Sequence, residues 1–261
     1  MTEEQMQAAC DLLYRHWTEG SRIDALPDGM RPVSRAEGYA VQAYIERHTR
    51  HPLYGWKIAA TSEAGQAHIG VDGPLAGRIL AERVIEDGGH CKLGNNLMRA
   101  AELEFAFCMA ADLPPREEPY SEQEVLDRVA SLHPAIELPD SRYEHFESAG
   151  LAQLLADNAC AHLFILGPPT DANWREMDLA QHRVEGIVNG RASCTGLGAN
   201  VLGNPRTALT WLANELSRNG LMLKAGQVVT TGTCVVPITI APGDRIEGNF
   251  GLLGRVAISI D

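Results

Sequence analysis

The sequence has few cysteines, and they form no metal-binding or redox motif. Six cysteines are spread along the chain, and no two of them make a C-x-x-C pair. Zinc-ribbon and thioredoxin-type sites are therefore excluded. Several cysteines lie inside apolar runs, such as Phe107-Cys108-Met109, so we expect buried, reduced thiols.

Long apolar runs and an export signal are also absent. No apolar run approaches the roughly 18 residues that a membrane span needs. The first residues, Met1-Thr2-Glu3-Glu4, lack the basic and apolar regions of a secretory signal. We therefore expect a cytoplasmic protein.

Basic residues are in deficit. The chain of 261 residues has 22 Lys and Arg against 34 Asp and Glu, which gives a formal net charge of −12. Such a surface repels nucleic acids and anionic membranes, whereas a small anionic substrate needs only a local positive site. The 45% of hydrophobic and 21% of charged residues are typical of a globular protein.

Several common catalytic motifs are missing. There is no G-x-S-x-G nucleophile elbow, no G-x-G-x-x-G loop and no Walker A loop. None of the nine histidines is paired at i,i+4 as in a helical zinc site. His68 and His145, in loop-like segments, are weak candidates for acid/base groups.

The chain divides into an N-terminal helical region, residues 1–52, and a β-rich catalytic core, residues 53–261. In the core, short runs rich in Val, Ile and Leu alternate with Gly and Pro, which is typical of strands. The candidate strands are 54–59, 77–84, 98–109, 133–138, 161–166, 182–188, 191–194, 227–231, 236–240, 244–249 and 254–260. Because these strands do not alternate regularly with helices, they favour a curved mixed sheet or sandwich, in the α+β class, over a parallel α/β fold.

Capping residues mark the helices and one tight turn. Helix starts are predicted at Thr2 with Gln5, Ser34 with Glu37, Ser121 with Glu124, and Asn204 before Pro205. A further helix is expected over roughly 149–157. The pair Asn189-Gly190 predicts a type I′ hairpin, since both residues tolerate positive φ.

The segment 99–109 carries two carboxylates on one face of a strand. Residues two apart on a strand share a face, so the large apolar residues from Leu103 to Met109 form one face. Glu102 and Glu104 lie on the other face, which continues with small apolar residues. Two carboxylates in such a setting repel each other and lose hydration, and a divalent cation would compensate for both effects.

Glu137 is a third candidate ligand. In Ile136-Glu137-Leu138 the two apolar residues face one way and the carboxylate faces the other. Three carboxylates without cysteine or histidine suit a hard cation, Mg²⁺ or Mn²⁺ and less readily Ca²⁺. The E-x-E pattern is also common among exposed glutamates, so the pattern alone leaves both interpretations open.

Two further segments carry polar groups that suit a substrate. Lys57 lies in the otherwise apolar run 55–59, where it is either an edge-strand lysine that reaches water or an ammonium aimed into a pocket. In the run 230–234, Gly232 and the neighbouring hydroxyl of Thr233 either present N–H and O–H groups to a carboxylate or form a plain turn.

Six short motifs are spread along nearly the whole chain. They are GWKI at 55–58, HIGVDGP at 68–74, AELEFAF at 101–107, AIELPDSRY at 135–143, ADNA at 156–159 and APGD at 241–244. Together they resemble the 2-keto-4-pentenoate hydratase / 4-oxalocrotonate decarboxylase group of the fumarylacetoacetate hydrolase superfamily. The resemblance implies a mixed β-sandwich roll like the C-terminal part of fumarylacetoacetate hydrolase, an N-terminal helical region, and homo-oligomers.

The resemblance also implies roles for individual residues. It implies that Glu102, Glu104 and Glu137 hold Mg²⁺ or Mn²⁺, that Lys57 is catalytic, and that Lys57, Thr233 and Ser141 bind the substrate. One position departs from the hydratase pattern, because Leu75 stands where hydratases usually carry an aspartate proposed as an acid/base residue. Leucine cannot transfer a proton, and the decarboxylase branch also tends to lack this aspartate.

The function implied is that of a metal-dependent lyase acting on a 2-oxo or 2-hydroxydienoic acid from aromatic catabolism. A 2-keto-4-pentenoate-type hydratase working through a metal-stabilised enolate is our first expectation. A 4-oxalocrotonate-type decarboxylase and an acylpyruvate C–C hydrolase are the enzymatic alternatives. A non-enzymatic alternative, a partner subunit of a hydratase–decarboxylase complex, would explain Leu75 but not an intact set of three carboxylates.

Overall fold

The N-terminal region is helical, as predicted. In the computed structural model, which describes residues 1–261, helix α1 (Glu3–Glu19) begins at the capping box formed by Thr2 and ends where Gly20 adopts a φ of 65°. Helix α2 (Arg35–Ala43) begins at Ser34 and continues into a short 3₁₀ helix. None of the helices combines the length and the apolar character that a membrane-spanning helix requires.

The second predicted capping box forms only in part. The Ser34 hydroxyl accepts a hydrogen bond from the Glu37 N–H, as expected. The Glu37 carboxylate, however, accepts from the N-terminal amine of Met1 at 2.8 Å and from the Val33 N–H at 2.9 Å. Glu37 therefore ties the start of α1 to the start of α2.

Thirteen strands follow in the core. They are β1 (Gly55–Ala59), β2 (Leu75–Ile79), β3 (Val84–Glu86), β4 (His90–Cys91), β5 (Ala100–Met109), β6 (Val129–Leu138), β7 (Leu163–Leu166), β8 (Arg183–Val188), β9 (Arg191–Leu197), β10 (Val228–Thr233), β11 (Ile238–Thr239), β12 (Arg245–Asn249) and β13 (Arg255–Ile260). The candidate strands match them with four differences. Strand β6 begins four residues before the candidate 133–138, and β9 ends three residues after the candidate 191–194. The candidate 77–84 joins the end of β2 to the start of β3 across a 3₁₀ turn, and β4 was not predicted because it has only two residues.

The strands form two sheets. Seven strands of the first sheet follow the order β2-β1-β10-β5-β6-β7-β3, and β11 pairs with β5. In this sheet β1 runs parallel to β10 and β3 parallel to β7, while the remaining pairs are antiparallel. The second sheet has the order β4-β13-β12-β8-β9, and the predicted hairpin at Asn189-Gly190 joins β8 to β9. The mixed sheets agree with the α+β expectation.

Four more helices lie between the strands. They are α3 (Glu63–His68), α4 (Glu122–Leu126), α5 (Leu151–Ala156) and α6 (Pro205–Arg218). The last three begin near the predicted positions. Helix α3 was not predicted, and it corrects the placement of His68 in a loop. The Ser62 hydroxyl caps this helix by accepting from the Gly65 N–H.

One hydrophobic core joins the helical region to the sheets. The same cluster of buried side chains contains Leu13 and Trp17 of α1 and Phe105 and Phe107 of β5. The division at residue 52 therefore stays a prediction. All six cysteines are free, which agrees with the expectation of reduced thiols, and four of them are buried. The expectation of burial is wrong for Cys108, although it lies in an apolar run, and for Cys194, since both are half-buried.

Candidate active site

Three neighbouring strands bring the three predicted carboxylates together. Glu102 on β5 lies directly opposite Glu137 on β6. Glu104, two residues further along the same face of β5, lies opposite Thr233 on β10. Each glutamate offers a carboxylate oxygen, and these three oxygens lie within 4.8 Å of one another. The strand register thus assembles a cluster of oxygen ligands from residues 35 positions apart in the sequence.

Two buried oxygens of this cluster have no hydrogen-bond partner. The Gly232 N–H donates to Glu104 Oε2 at 2.7 Å, and Lys57 Nζ lies 3.2 Å from Glu137 Oε1. Glu104 Oε1 and Glu137 Oε2 are buried and unpaired. An unsatisfied buried acceptor costs about 1–3 kcal/mol, and more when it is charged. A cation between these oxygens would satisfy both, and an all-oxygen ligand set suits Mg²⁺ or Mn²⁺.

Burial raises the pKa of all three carboxyl groups when no cation is present. It raises the pKa of Glu137 to about 7, although the charge of Lys57 opposes the shift. Burial, with the charges of Glu137 and Glu102 added to it, raises the pKa of Glu104 well above its ordinary value. Burial also raises the pKa of Glu102. The cluster therefore resists holding three negative charges at once unless a cation shares the space.

Lys57 is an interior lysine. Its strand, β1, lies between β2 and β10, and the residue is only 2% exposed. Burial alone would lower the pKa of Lys57, but the charge of Glu137, with those of Glu102 and Glu104, outweighs burial and raises it. The structure thus excludes an edge-strand lysine and places a protonated ammonium beside the carboxylates.

A strained backbone segment supplies the second partner of Lys57. Asn158, Ala159 and Cys160 adopt φ angles of 54°, 50° and 61°, a left-handed run that costs energy for residues other than glycine. Lys57 Nζ donates a hydrogen bond to the carbonyl oxygen of Ala159 at 2.9 Å. The Asn158 amide holds the segment by bonding both the N–H and the carbonyl of Arg78, at 2.6 and 2.8 Å. The sequence showed this segment only as part of the motif at 156–159.

A buried ion pair anchors the same segment. Arg142 and Asp157 are both buried and form a side-chain hydrogen bond and ion pair. Arg142 also donates to the carbonyl oxygens of Asp140 and Ala161 at 2.9 and 3.0 Å. The Ser141 hydroxyl donates to Asp157 Oδ2 at 2.7 Å. Ser141 thus belongs to this network and does not line the cavity described next.

A cavity of about 630 Å³ opens beside the carboxylate cluster. Lys57, Glu102 and Thr233 line it, and so does Leu75. Gly232 is required at its wall, because φ there is 97° and a Cβ atom would lie 2.2 Å from Thr61 Oγ1. The N–H of Gly232 donates a hydrogen bond to the Glu104 carboxylate. The run 230–234 is therefore more than a plain turn. The Thr233 hydroxyl donates to the Val235 carbonyl at 2.8 Å.

Comparison with known proteins shows that the chain matches one protein family over most of its length. Residues 92–260 match the family model described as fumarylacetoacetate (FAA) hydrolase C-terminal. The chain is 31% identical over 256 residues to 2-keto-4-pentenoate hydratase 1 of Dechloromonas aromatica (strain RCB), covering 96% of this chain and 95% of that protein. It is 30% identical over 263 residues to 4-oxalocrotonate decarboxylase of Pseudomonas putida, covering 98% and 97%.

A solved structure shares the whole fold. The 4-oxalocrotonate decarboxylase from Pseudomonas putida G7, complexed with magnesium and adipate, superposes with a TM-score of 0.90 at 28% identity. The match covers 100% of this chain and 99% of that one. The chain is thus similar along its length to hydratases and decarboxylases, which are both lyases, and its fold matches that of a protein crystallised with a divalent cation.

Proposed function

Because the chain belongs to the fumarylacetoacetate hydrolase family, we propose that it is a metal-dependent lyase acting on a 2-oxo acid or its 2-hydroxydienoic tautomer. Hydration of a 2-keto-4-pentenoate-type substrate is the first candidate reaction. The observation that carries the proposal is the convergence of Glu102, Glu104 and Glu137, two of them with unpaired buried oxygens, beside Lys57 and an open cavity.

The residues around the cluster have separable tasks in this proposal. Glu102, Glu104 and Glu137 would hold Mg²⁺ or Mn²⁺, which when bound supplies a Lewis acid for the carboxylate and 2-oxygen of the substrate. The Gly232 N–H keeps the Glu104 carboxylate oriented. Lys57 holds a proton at Nζ at the buried end of the cavity, where it can donate to a substrate oxygen and stabilise negative charge that develops there.

Two other predicted residues take different places in the proposal. Thr233 lies on the cavity wall and is a candidate contact for the substrate, and its hydroxyl can donate to a substrate carboxylate only by leaving the Val235 carbonyl. Ser141 lies behind the wall, so we assign it a positioning role through Asp157, which anchors the segment that bonds Lys57.

Decarboxylation is the second candidate, and Leu75 is the observation that favours it. Leu75 lines the cavity and is fully buried, so the position has no group that could activate water or protonate the distal carbon of the substrate. Loss of CO₂ needs no activated water, and only the electrons left behind have to be stabilised.

We also propose that the chain forms homo-oligomers, as the family resemblance implies. Strand β9 supports this proposal, because it is an edge strand whose side chains are mostly exposed. Sedimentation of the purified protein, with and without Mg²⁺, would establish the number of subunits and whether it depends on the cation.

The test of the proposed function is turnover by the EDTA-stripped protein with and without Mg²⁺ or Mn²⁺. The substrates are 2-hydroxypenta-2,4-dienoate, 2-oxohex-3-enedioate and an acylpyruvate, with products identified by mass. Metal-dependent gain of water supports the hydratase, and loss of CO₂ supports the decarboxylase. Acid release from the acylpyruvate would identify a hydrolase instead. A protein with neither turnover nor bound metal would be a partner subunit, and the proposal would be wrong.

A further inference from the structure

The cavity beside the carboxylate cluster is roomier than a five-carbon acid requires. Its volume is about 630 Å³, within the range of roughly 300–1,000 Å³ that encloses ligands of drug size. If the carboxylate and 2-oxygen of a substrate occupy the end with Glu102 and Lys57, most of the cavity remains for the rest of the substrate. The chemistry of the wall then determines what that remainder can be.

The wall is mostly apolar. Its large side chains include Ile69, Leu75, Met98, Phe146 and Leu154. Val236 extends the apolar lining toward solvent, since it also lines the cavity and is 76% exposed. An alkyl or aryl group that leaves water for such a wall gains about 0.8 kcal/mol per CH₂, which is roughly fourfold in affinity for each carbon.

The wall offers almost no positive charge. Lys57 is the only lysine on it, and no arginine lines it. The ammonium of Lys57 already has two partners, the Glu137 carboxylate and the Ala159 carbonyl oxygen. A second substrate carboxylate at the far end of the cavity would lose its hydration without gaining a counter-charge, which is unfavourable.

His68 is the one other side chain on the wall that can become positively charged. It is exposed, its ring packs edge-on against Phe146 at 6.0 Å between centroids, and its ring nitrogens have no hydrogen-bond partner within the chain. An imidazole that is exposed and faces solvent is a weak substitute for the fixed guanidinium that normally holds a carboxylate.

We infer that the substrate is a monocarboxylic 2-oxo acid, or its dienol tautomer, whose distal end is an uncharged alkyl or aryl group larger than the hydrocarbon end of a five-carbon acid. The inference rests on the proposed function, because that function places the acid end at the carboxylate cluster. This class of ligand differs from the dicarboxylate adipate that is bound in the similar decarboxylase structure. It also favours hydration over decarboxylation, because a monocarboxylate has no distal carboxylate to lose.

The test measures binding of unreactive 2-oxo acids to the Mn²⁺-loaded protein by calorimetry. The matched pair is 2-oxohexanoate and 2-oxoadipate, which have six carbons each and differ only in a terminal methyl or carboxylate. We expect 2-oxoadipate to bind at least tenfold more weakly. We expect 2-oxooctanoate, with two more methylenes, to bind roughly 16-fold more tightly than 2-oxohexanoate. Equal or tighter binding of 2-oxoadipate would overturn the inference.

Two variants at the rim sharpen the result. Val236→Lys changes an exposed side chain, so it should fold, and it should reverse the order by favouring 2-oxoadipate over 2-oxooctanoate. His68→Leu should keep the wild-type order. If His68→Leu selectively removes 2-oxoadipate binding, His68 is a receptor for a second carboxylate and the inferred substrate class is wrong.

The outcomes separate the inference from the proposed function. Metal-dependent turnover of 2-hydroxypenta-2,4-dienoate together with a preference for 2-oxoadipate would keep the lyase and reject the apolar tail. The expected order of binding without turnover of any dienoate would keep the ligand class and reject the lyase. Binding that does not depend on Mn²⁺ would reject both.

Discussion

Glu102 and Glu137 lie directly opposite each other on the antiparallel strands β5 and β6. Like charges in this position destabilise a sheet, and here both carboxyl groups have a raised pKa because they are buried. Glu104 adds a third carboxylate, and Lys57 supplies only one compensating charge. A divalent cation would balance the remaining two negative charges. A metal centre therefore explains why the fold keeps three repelling carboxylates side by side.

Replacing Glu104 by glutamine should abolish metal-dependent activity and leave the fold intact. The amide can still accept the Gly232 hydrogen bond, and it resembles the protonated carboxyl that burial favours without a cation. We expect the Mn²⁺ affinity to fall by more than the roughly 10–100-fold that follows from losing a group that only orients a ligand. Calorimetry and circular dichroism check both parts.

The matched control for Glu104→Gln is Glu247→Gln. Glu247 lies on β12, in the second sheet, and pairs with the exposed side chain of Arg255 at 2.8 Å. This control should bind Mn²⁺ and turn over substrate like the wild type. If Glu104→Gln keeps full metal-dependent activity, the ligand assignment is wrong.

Adding Mg²⁺ or Mn²⁺ to the EDTA-stripped protein should raise the melting temperature. A cation at about 100 times its Kd adds about 2.7 kcal/mol to the free energy of unfolding, because it binds only the folded state. A thermal shift of several degrees follows for a chain of this size. Glu104→Gln should show no shift, and an equal shift in both proteins would place the cation elsewhere.

Lys57→Met should reduce turnover far more than it changes metal affinity. The substitution removes a charge from the buried end of the cavity but no ligand oxygen, so we expect kcat to fall by about 100-fold or more. The Kd for Mn²⁺ should stay within about tenfold and move toward tighter binding, since a positive neighbour is lost. Lys224→Met, at an exposed lysine, is the control. Normal turnover in Lys57→Met would reduce Lys57 to a structural residue.

Asp157→Asn should destabilise the protein by about 3–5 kcal/mol, since it leaves the buried Arg142 without its counter-charge. Ser141→Ala removes only one hydrogen bond to the same carboxylate and should cost about 1 kcal/mol. Urea unfolding measures both losses. In the Ser141→Ala protein, an unchanged KM with a lower kcat supports a positioning role, whereas a raised KM would show direct contact with the substrate.

His162 should make the protein less stable in mild acid. The Trp17 indole N–H donates to His162 Nδ1 at 2.6 Å, and burial, with the charges of Arg142, Arg83 and Arg22, lowers the pKa of His162 to about 3. Between pH 6.5 and 3 the unfolded chain binds a proton that the folded chain does not. Stability is therefore lost as the pH falls through this range, by at most about 1.4 kcal/mol per pH unit.

The comparison for this pH effect is His162→Gln. Glutamine can accept the Trp17 hydrogen bond through its carbonyl oxygen and has no charge to gain. The difference in unfolding free energy between wild type and variant should therefore change with pH below 6.5 and stay constant above it. A difference that stays constant across the whole range would show that His162 takes up its proton equally well in the folded and the unfolded chain, so that folding does not lower its pKa.

Local patterns were sufficient for most of the secondary structure. Alternation along β5 and β6 identified which face carries Glu102 and Glu137, because side chains alternate on any strand whatever its neighbours. Capping residues located α1 and α6 for the same reason, since a cap acts within one turn. Helix α3 was not predicted because it is short and buries none of its side chains, so its sequence has no apolar face.

The carboxylates, the lysine and the strand faces could be read from the sequence, since residue type and periodicity are local properties and the motif order carries the family resemblance. Only the tertiary structure decided that Glu102 lies opposite Glu137, because strand register depends on the packing of the whole sheet. It also decided that Ser141 lies behind the cavity and that the left-handed segment at Ala159 directs a carbonyl to Lys57. These contacts join residues far apart in the chain, so no local pattern records them.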